Sequence, residues 1–245
     1  MSNIIEDNQV AVSQLATDIN DVTLLDKLFY QVTQDKLPKY KKSIPKRAFD
    51  IIFSLTVLMI LSPVFGLIAL LIKIISSDGP IFFAHKRVGL NGKEFDCYKF
   101  RTMSPDAEKI LNKLFDEQPE LKDEFQKDFK LKHDPRIIPV IGNLLRKTSL
   151  DELPQFFNVL KGDMSVVGPR PIINEEKVKY GYAINQFLSA KPGITGLWQV
   201  SGRNDVSYQT RISMDIKYIE NRNFLMDLKI IFKTVLVMLI KDGAY

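Results

Sequence analysis

The segment richest in reactive groups is Arg146-Lys147-Thr148-Ser149-Leu150-Asp151-Glu152-Leu153-Pro154. Adjacent carboxylates suit two jobs in phosphoryl transfer. One can attack phosphorus and form an acyl-phosphate. The other can hold a hard divalent cation that neutralises a pyrophosphate. Arg146 and Lys147, just upstream, can steady phosphate oxygens. A structural role competes with this chemistry. Ser149-x-x-Glu152 is a capping box, in which Glu152 bonds the Ser149 backbone. Asp151 in a first helical turn complements the helix dipole. With Ser149 as N-cap, however, Pro154 falls at the fifth helical position and clashes with the Leu150 carbonyl. The helix can instead begin at Pro154, leaving the carboxylates in the preceding turn. On spacing alone, capping is the more ordinary role.

Two further segments are dense in special residues. In Gly162 to Pro171, Pro169 and Pro171 fix the backbone around Arg170. A rigidly held arginine suits phosphate or a planar ring; the plain alternative is a structural turn. Pro192 to Asn204 carries three glycines, the only tryptophan and Arg203. Glycine lets backbone approach a ligand closely, but no Walker or dinucleotide fingerprint is present. His85 and His133 lack metal-ligand spacing and read as surface or structural. Asp134-Pro135-Arg136 reads as a turn first and a phosphate contact second. The single cysteine, Cys97, excludes an intramolecular disulfide and a cysteine-based metal site.

The elements that must position these residues are α+β and mostly helical. Ile51–Ile72 holds no charged residue. As one continuous helix it would reach ~33 Å, enough for a ~30 Å hydrocarbon core. Ser62-Pro63 interrupts it, where proline removes a helix hydrogen bond. Positive charge flanks both ends: Lys46 and Arg47 before, Lys73, Lys86 and Arg87 after. That favours keeping both ends on one side of a membrane. A helix kinked at Pro63 that enters and leaves the same face satisfies both features; the residues alone leave it level with a spanning helix. Pro80 to Phe100 predicts a small β-hairpin, with Asn91-Gly92 as the turn signal. Pro105 to Lys132 predicts two charged amphipathic helices separated by Pro119. Their stripes are Ile110, Leu111 and Leu114, then Leu121, Phe125 and Phe129. Asn223 to Ile240 predicts a last amphipathic helix, with Phe224, Leu228, Ile231, Phe232, Val235 and Leu239 on one face. That face belongs in the core or in a membrane interface.

The chain has 245 residues and a formal net charge of +5. One catalytic domain with small additions fits that length. The charge is compatible with nucleic acid, anionic lipid or phosphorylated substrates. Six basic residues and no acid lie between Lys36 and Arg47. Basic residues are not interleaved with aromatics on a recognition helix, which argues against nucleic acid. Three regions follow: a polar extension over 1–45, a membrane helix over 46–75 and a cytoplasmic domain over 76–245.

Several segments, taken in order, resemble the bacterial sugar transferases that prime glycan assembly on polyprenyl phosphate. The markers are Lys46-Arg47-Ala48-Phe49-Asp50, the apolar run broken at Ser62-Pro63, and Tyr98-Lys99-Phe100-Arg101-Thr102-Met103. Then come Thr148 to Gln155, Gly168-Pro169-Arg170-Pro171, and Pro192-Gly193-Ile194-Thr195-Gly196. The resemblance runs from about Lys46 to Tyr245. It implies a monotopic enzyme with a re-entrant helix broken at Ser62-Pro63, in the bacterial inner membrane, its domain facing the cytoplasm. It implies a two-step reaction. Asp151 would attack the β-phosphate of a UDP-sugar and release UMP; polyprenyl (undecaprenyl) phosphate would then take the sugar phosphate. Glu152 would hold Mg²⁺. Arg146 and Arg170, between Pro169 and Pro171, match phosphate- or nucleotide-contacting positions. Arg101 and Arg203 are carried as further substrate-binding candidates. The product would start an exopolysaccharide, capsule, O-antigen or glycoprotein glycan. The charged insert Asp106–Lys132 and the Gly243-Ala244-Tyr245 ending lean toward galactose- or glucose-phosphate-transferring members, and a homodimer is compatible. The 1–45 extension departs from that pattern. A non-catalytic membrane scaffold, with the dyad only capping a helix, is the alternative.

Overall fold

The computed structural model describes residues 42–122, 125, 131, 133–202 and 206–240. The first 41 residues of the expected polar extension lie outside them. Helix α1 (Ile44–Ile60) opens with Pro45 in its first turn, and the Ser43 hydroxyl accepts the Lys46 N–H. Proline is pre-organised there because its missing N–H would be unbonded anyway. The body of α1 is apolar all round, so its polar first turns must specify how it docks. Lys46 Nζ pairs with Asp227 at 2.7 Å. Arg47 donates to the Val159 and Leu160 carbonyls at 2.6 and 2.8 Å. Asp50, 3% exposed, accepts from Ser165 Oγ and the Val166 N–H, both at 3.0 Å.

The expected break is present. Helix α2 (Ser62–Ile75) leaves α1 at a bend of 61°. Pro63 cannot donate to the Met59 carbonyl, and the Ser62 hydroxyl donates to it instead at 2.9 Å. Among the described residues no single helix is long and apolar enough to cross a membrane; the bent pair reaches that length only together. Ile52, Leu55, Met59, Leu67, Leu70 and Ile74 are exposed along it.

Strands β1 (Phe82–Val88) and β2 (Glu94–Phe100) pair antiparallel, from Phe82 opposite Phe100 to Val88 opposite Glu94. Asn91 (φ 57°) and Gly92 (φ 76°) supply the left-handed turn. The hairpin is therefore as expected. A second pair was not foreseen. Strands β3 (Ser165–Val167) and β4 (Gly193–Thr195) run parallel. A Cβ on Gly193 would lie 2.0 Å from the Gly168 nitrogen, so glycine is required where these segments meet. This pair brings the two Gly/Pro-dense segments together.

Helix α3 (Ala107–Glu117) is amphipathic, with Ile110, Leu111 and Leu114 half-buried. Of the second expected stripe, Phe129 lies outside the described residues. Helices α4 (Ile141–Thr148) and α5 (Gln155–Lys161) flank the dyad. Short helices α6 (Lys177–Tyr180) and α7 (Ile184–Leu188) lead to β4. Helices α8 (Tyr208–Asn221) and α9 (Phe224–Ile240) close the described chain.

Helix α9 bears on the two alternatives left open for its apolar face, core or membrane interface. Its inner face is Asp227 and Ile230, each 2% exposed, with Thr234. Phe224, Leu228, Phe232 and Val235, expected on one packed or interfacial face, are exposed. Of that face Ile231 packs against the core, and Phe224 meets the Phe49 ring edge-on at 5.3 Å. The physical reason is that α9 is apolar on both sides, so polar partners choose its orientation. Asp227 meets Lys46 and the Tyr218 hydroxyl (2.7 Å), and Thr234 shares a 2.7 Å hydrogen bond with Thr195. The core beneath includes Ile72, Phe100, Leu145, Val159, Met164 and Val167.

Candidate active site

The dyad sits in a tight link between two helices. Helix α4 stops at Ser149, which takes the left-handed conformation (φ 56°). Leu150–Glu152 form one 3₁₀ turn, and α5 starts only after Pro154. The capping box is not formed. Ser149 ends α4 rather than starting a helix, and its side chain makes no cap hydrogen bond. Proline, which lacks the N–H and would clash inside a helix, restarts the chain instead. That is the second of the two readings of the spacing. The carboxylates are therefore free of capping duty.

Their partner is Lys99 on β2. Its Nζ lies 2.6 Å from Glu152 Oε1 and 3.6 Å from Asp151 Oδ2. Asp151 is 7% exposed. Burial, reinforced by the Glu152 charge, raises its pKa above the ordinary carboxylate value, against the pull of Lys99 and Arg146. Glu152 goes the other way. Burial opposes its ionisation too, but Lys99, Arg170 and Arg87 outweigh it and hold the group well below the usual range. Two adjacent carboxyls are thus driven apart: Glu152 as a fixed anion, Asp151 as the group whose charge depends on its surroundings.

An open pocket borders Glu152. Arg87, Lys99, Glu152, Gln155, Arg170 and Gln199 line it. Three cations against one carboxylate favour an anionic ligand. Arg170 lies 5.8 Å over the Trp198 ring. Pro169 is fully buried, and its carbonyl takes the Gly193 N–H at 2.8 Å. The Pro171 carbonyl faces Arg87 Nη1 at 3.4 Å. The turn is held on both flanks, as its prolines suggested. Arg146 donates Nε to Thr102 Oγ1 at 3.0 Å, on the Asp151 side. Cys97 lies at the pocket floor; burial pushes its thiol up to about 11, which leaves it protonated at neutral pH.

Other candidates fall elsewhere. Arg101, expected at substrate, is 4% exposed and turned away from the dyad. It donates to Pro80 O and Ser76 Oγ at 2.6 and 2.9 Å, and also to Ser76 O. An arginine offers a rigid fork of donors, and here the loop after α2 uses it. Its role is to hold that loop. Arg203 lies outside the described residues. Ser62 and Pro63 form the helix break. Arg136 pairs with Asp134 through 2.6 and 2.7 Å contacts inside their own turn, which is the turn reading. His85 is half-buried beside Phe83, and His133 is exposed.

Sequence reasoning missed Lys99, Arg87 and Gln155 as site residues. Lys99 stood inside a quoted marker, yet nothing in its spacing tied it to a dyad over fifty positions away; the packing of β2 against the dyad turn does so. No group of three or more His, Cys, Asp or Glu able to hold a metal occurs among the described residues. Asp151 and Glu152 still offer adjacent carboxylate oxygens. One or two carboxylates completed by substrate phosphates are the usual cradle for Mg²⁺, so the donor set fits such an ion.

The sequence model of the bacterial sugar transferase family matches residues 41–241. An undecaprenyl-phosphate galactose phosphotransferase of Salmonella typhimurium is 51% identical over 212 residues, covering 86% of this chain and 44% of the relative. The exopolysaccharide production protein ExoY of Sinorhizobium fredii is 46% identical over 202 residues, 82% of this chain and 88% of the relative. A UDP-glucose:undecaprenyl-phosphate glucose-1-phosphate transferase of Escherichia coli is 38% identical over 209 residues, 82% and 41% of the two chains. The chain thus spans less than half the length of the Salmonella and Escherichia relatives, and most of ExoY. The matched stretch takes in α1, the hairpin, the dyad turn, the Arg170 turn and α9, and on that breadth the chain belongs to the bacterial sugar transferase family.

Proposed function

We propose that this protein transfers a sugar-1-phosphate from a UDP-sugar to polyprenyl phosphate. The observation that carries the proposal is the Asp151–Lys99–Glu152 cluster beside a pocket of three cations. Asp151 Oδ attacks the β-phosphorus of the donor. The bond from that phosphorus to the bridging oxygen breaks, and UMP leaves with the electron pair. A phosphate oxygen of the acceptor then attacks the aspartyl phosphate. Sugar diphosphate-polyprenol forms and the Asp151 carboxylate is restored.

Each residue has a task. Lys99 favours the ionised form of Asp151, which burial alone opposes. Arg170 and Arg87 meet the anionic donor and offset repulsion between two negatively charged substrates. Arg146 supplies positive charge on the Asp151 side. Glu152 would hold Mg²⁺, which would neutralise the diphosphate when bound.

The bent pair α1–α2 is read as a re-entrant membrane element of the cytoplasmic membrane, its domain on the cytoplasmic side. The uncharged stretch of each arm, 51–60 and 62–72, reaches only about half of a bilayer, at ~1.5 Å per residue against a ~30 Å core. The exposed apolar side chains of α1, α2 and α9 support contact with lipid. The acceptor phosphate rests at the same surface, so catalysis and acceptor meet in one plane. The names of the relatives support a galactose or glucose donor and a role in exopolysaccharide production.

The test is UMP release from a panel of UDP-sugars with detergent-purified protein, Mg²⁺ and polyprenyl phosphate. The unaltered protein should release UMP with at least one donor, and Asp151→Asn should not. No release from any donor would favour a non-catalytic scaffold. Unchanged release by the Asn variant would remove Asp151 as nucleophile.

A further inference from the structure

The pocket beside Glu152 has an uncharged part that the chemistry above does not use. Gln155 and Gln199 both line it. Gln155 is the first residue of α5 and is 2% exposed. Among the described residues nothing hydrogen-bonds its side-chain amide. A buried amide without partners has given up water and gained nothing in return. Gln199 sits in the turn Trp198–Val200. Its Nε2 donates to the Ile194 carbonyl at 3.2 Å. Its Oε1 is buried, and among the described residues no donor reaches it. Two amides with open hydrogen-bonding capacity thus share one pocket with Arg87, Lys99 and Arg170.

The two amides differ in freedom. A carbonyl can only accept, so the bond to Ile194 turns the Gln199 nitrogen toward β4 and the oxygen away from it. Gln199 therefore offers a committed acceptor. Gln155 has no such anchor and can present either end of its amide. The matching ligand has an anionic part for the cations and a neutral part with an N–H or O–H for Gln199. A nucleoside diphosphate has both. In an in-line displacement the leaving group departs opposite the nucleophile. Glu152 lines the pocket and Asp151 does not. The pocket therefore belongs to the leaving nucleotide rather than to the sugar. Gln199 also follows Trp198, the ring beneath Arg170, so it neighbours the arginine that meets phosphate.

We propose that Gln199 is a specificity-determining residue whose Oε1 accepts the N3–H of the donor's uracil, with Gln155 as a second contact to the same base. The inference rests on the phosphoglycosyl transfer reading for the identity of the nucleotide. Cytosine carries a lone pair in place of that N–H, which a committed oxygen repels. A methyl group on N3 removes the donor and adds bulk. Gln155 can turn its amide to suit either base, so it adds affinity without choosing.

The experiment is calorimetric titration of the full chain, in detergent with Mg²⁺, by UDP, CDP, N3-methyl-UDP and pyrophosphate. The unaltered protein should bind UDP about tenfold more tightly than CDP or N3-methyl-UDP, the worth of one unmatched buried acceptor. Gln199→Met keeps the length of the side chain and removes the acceptor. It should weaken UDP by about tenfold and abolish the preference over CDP. Gln155→Met should weaken both nucleotides alike and keep their ratio. Pyrophosphate reaches only the charged lining and should bind all three proteins equally. If Gln199→Met weakens UDP, CDP and pyrophosphate together, Gln199 serves the fold alone and the inference is overturned. Equal binding of UDP and CDP by the unaltered protein, or no binding of UDP, overturns it too. Those two outcomes need no variant, so the test survives a Gln199→Met that fails to fold. If the variants leave UDP unchanged and alter only the affinity for UDP-sugars, the amides belong to the sugar and the inference fails. UMP release by the unaltered protein is measured alongside. No release with the preference for UDP intact would sink the transferase reading and leave the base assignment standing. Release without the preference would do the reverse.

Discussion

Replacing Lys99 by Met tests the electrostatic core of the site. The lysine stands 2.6 Å from one carboxylate and 3.6 Å from the other. At an effective dielectric near 20, a unit charge at 3.6 Å is worth on the order of 4–5 kcal/mol before solvation losses are counted. Lys99 is itself partly buried, and its desolvation offsets much of that. A cation this close typically lowers a carboxyl pKa by about one to three units. Its removal should therefore raise the pKa of both carboxyls. Asp151, already above its ordinary value, should rise further. Less of it is then ionised at any given pH, so the acid limb of kcat/KM should move to higher pH by about one to three units. Activity at pH 7 should fall, and raising the pH should restore part of it. The assay is UMP release from pH 5 to 9 at subsaturating donor. If Lys99 only binds the donor phosphates, KM rises at every pH and the limb stays where it is. That outcome would refute the argument.

Asp151→Asn should abolish turnover while raising the melting midpoint, and more at pH 8 than at pH 4. The sign follows from the raised folded pKa. Above the unfolded value an ionised Asp151 costs stability, and the neutral amide removes that cost. Arg101→Ala should lower stability by about 3 kcal/mol in denaturant unfolding, since charged hydrogen bonds to the Ser76–Pro80 loop are lost. The kcat of its folded fraction should stay near the parent. Pro63→Ala returns an N–H to the Met59 carbonyl, so the 61° bend should open. Distances between spin labels at Ile44 and Ile75 in micelles should lengthen.

The local signals in the sequence were strong where one residue type decides geometry. Asn91-Gly92 placed the hairpin turn, and Ser62-Pro63 placed the break between α1 and α2. Pro154 already argued against the capping box, because a proline cannot sit in the fifth helical position without a clash. The failures share one cause: partners far away in the chain. Arg101 was carried as a substrate-binding candidate through the resemblance, but the loop after α2 supplies the carbonyls that engage it. The large apolar residues of α9 left core and membrane interface open, because Lys46, Tyr218 and Thr195 choose which side turns inward. Lys99 could be found only once β2 lay against the dyad turn. The three-residue strands β3 and β4 are too short to show alternation, and glycine at their contact hid the pairing further.

The clamp at the start of α1 ties the proposed membrane element to the chemistry. Arg47 donates to Val159 and Leu160, the last turn of α5, and Asp50 bonds β3. The opposite end of α5 begins directly after the dyad turn. The bond donated by Asn158 Nδ2 to the Asp96 carbonyl, and the one its Oδ1 accepts from the Tyr98 N–H, join the same helix to β2, three residues and one residue from Lys99. Helix α5 is thus a short rigid strut, with α1 fixed to its end and the proposed nucleophile, Asp151, in the turn before its start. A helix of 7 residues spans about 10 Å at ~1.5 Å per residue. The proposed reaction needs the acceptor phosphate at a fixed height above the lipid, and the strut sets the height of Asp151 relative to α1. Arg47→Ala should therefore weaken transfer to polyprenyl phosphate more than the first half-reaction, which uses a soluble donor. The two are separated by measuring UMP burst amplitude without acceptor and steady-state product with it. A loss shared equally by both steps would mean that the clamp serves stability alone.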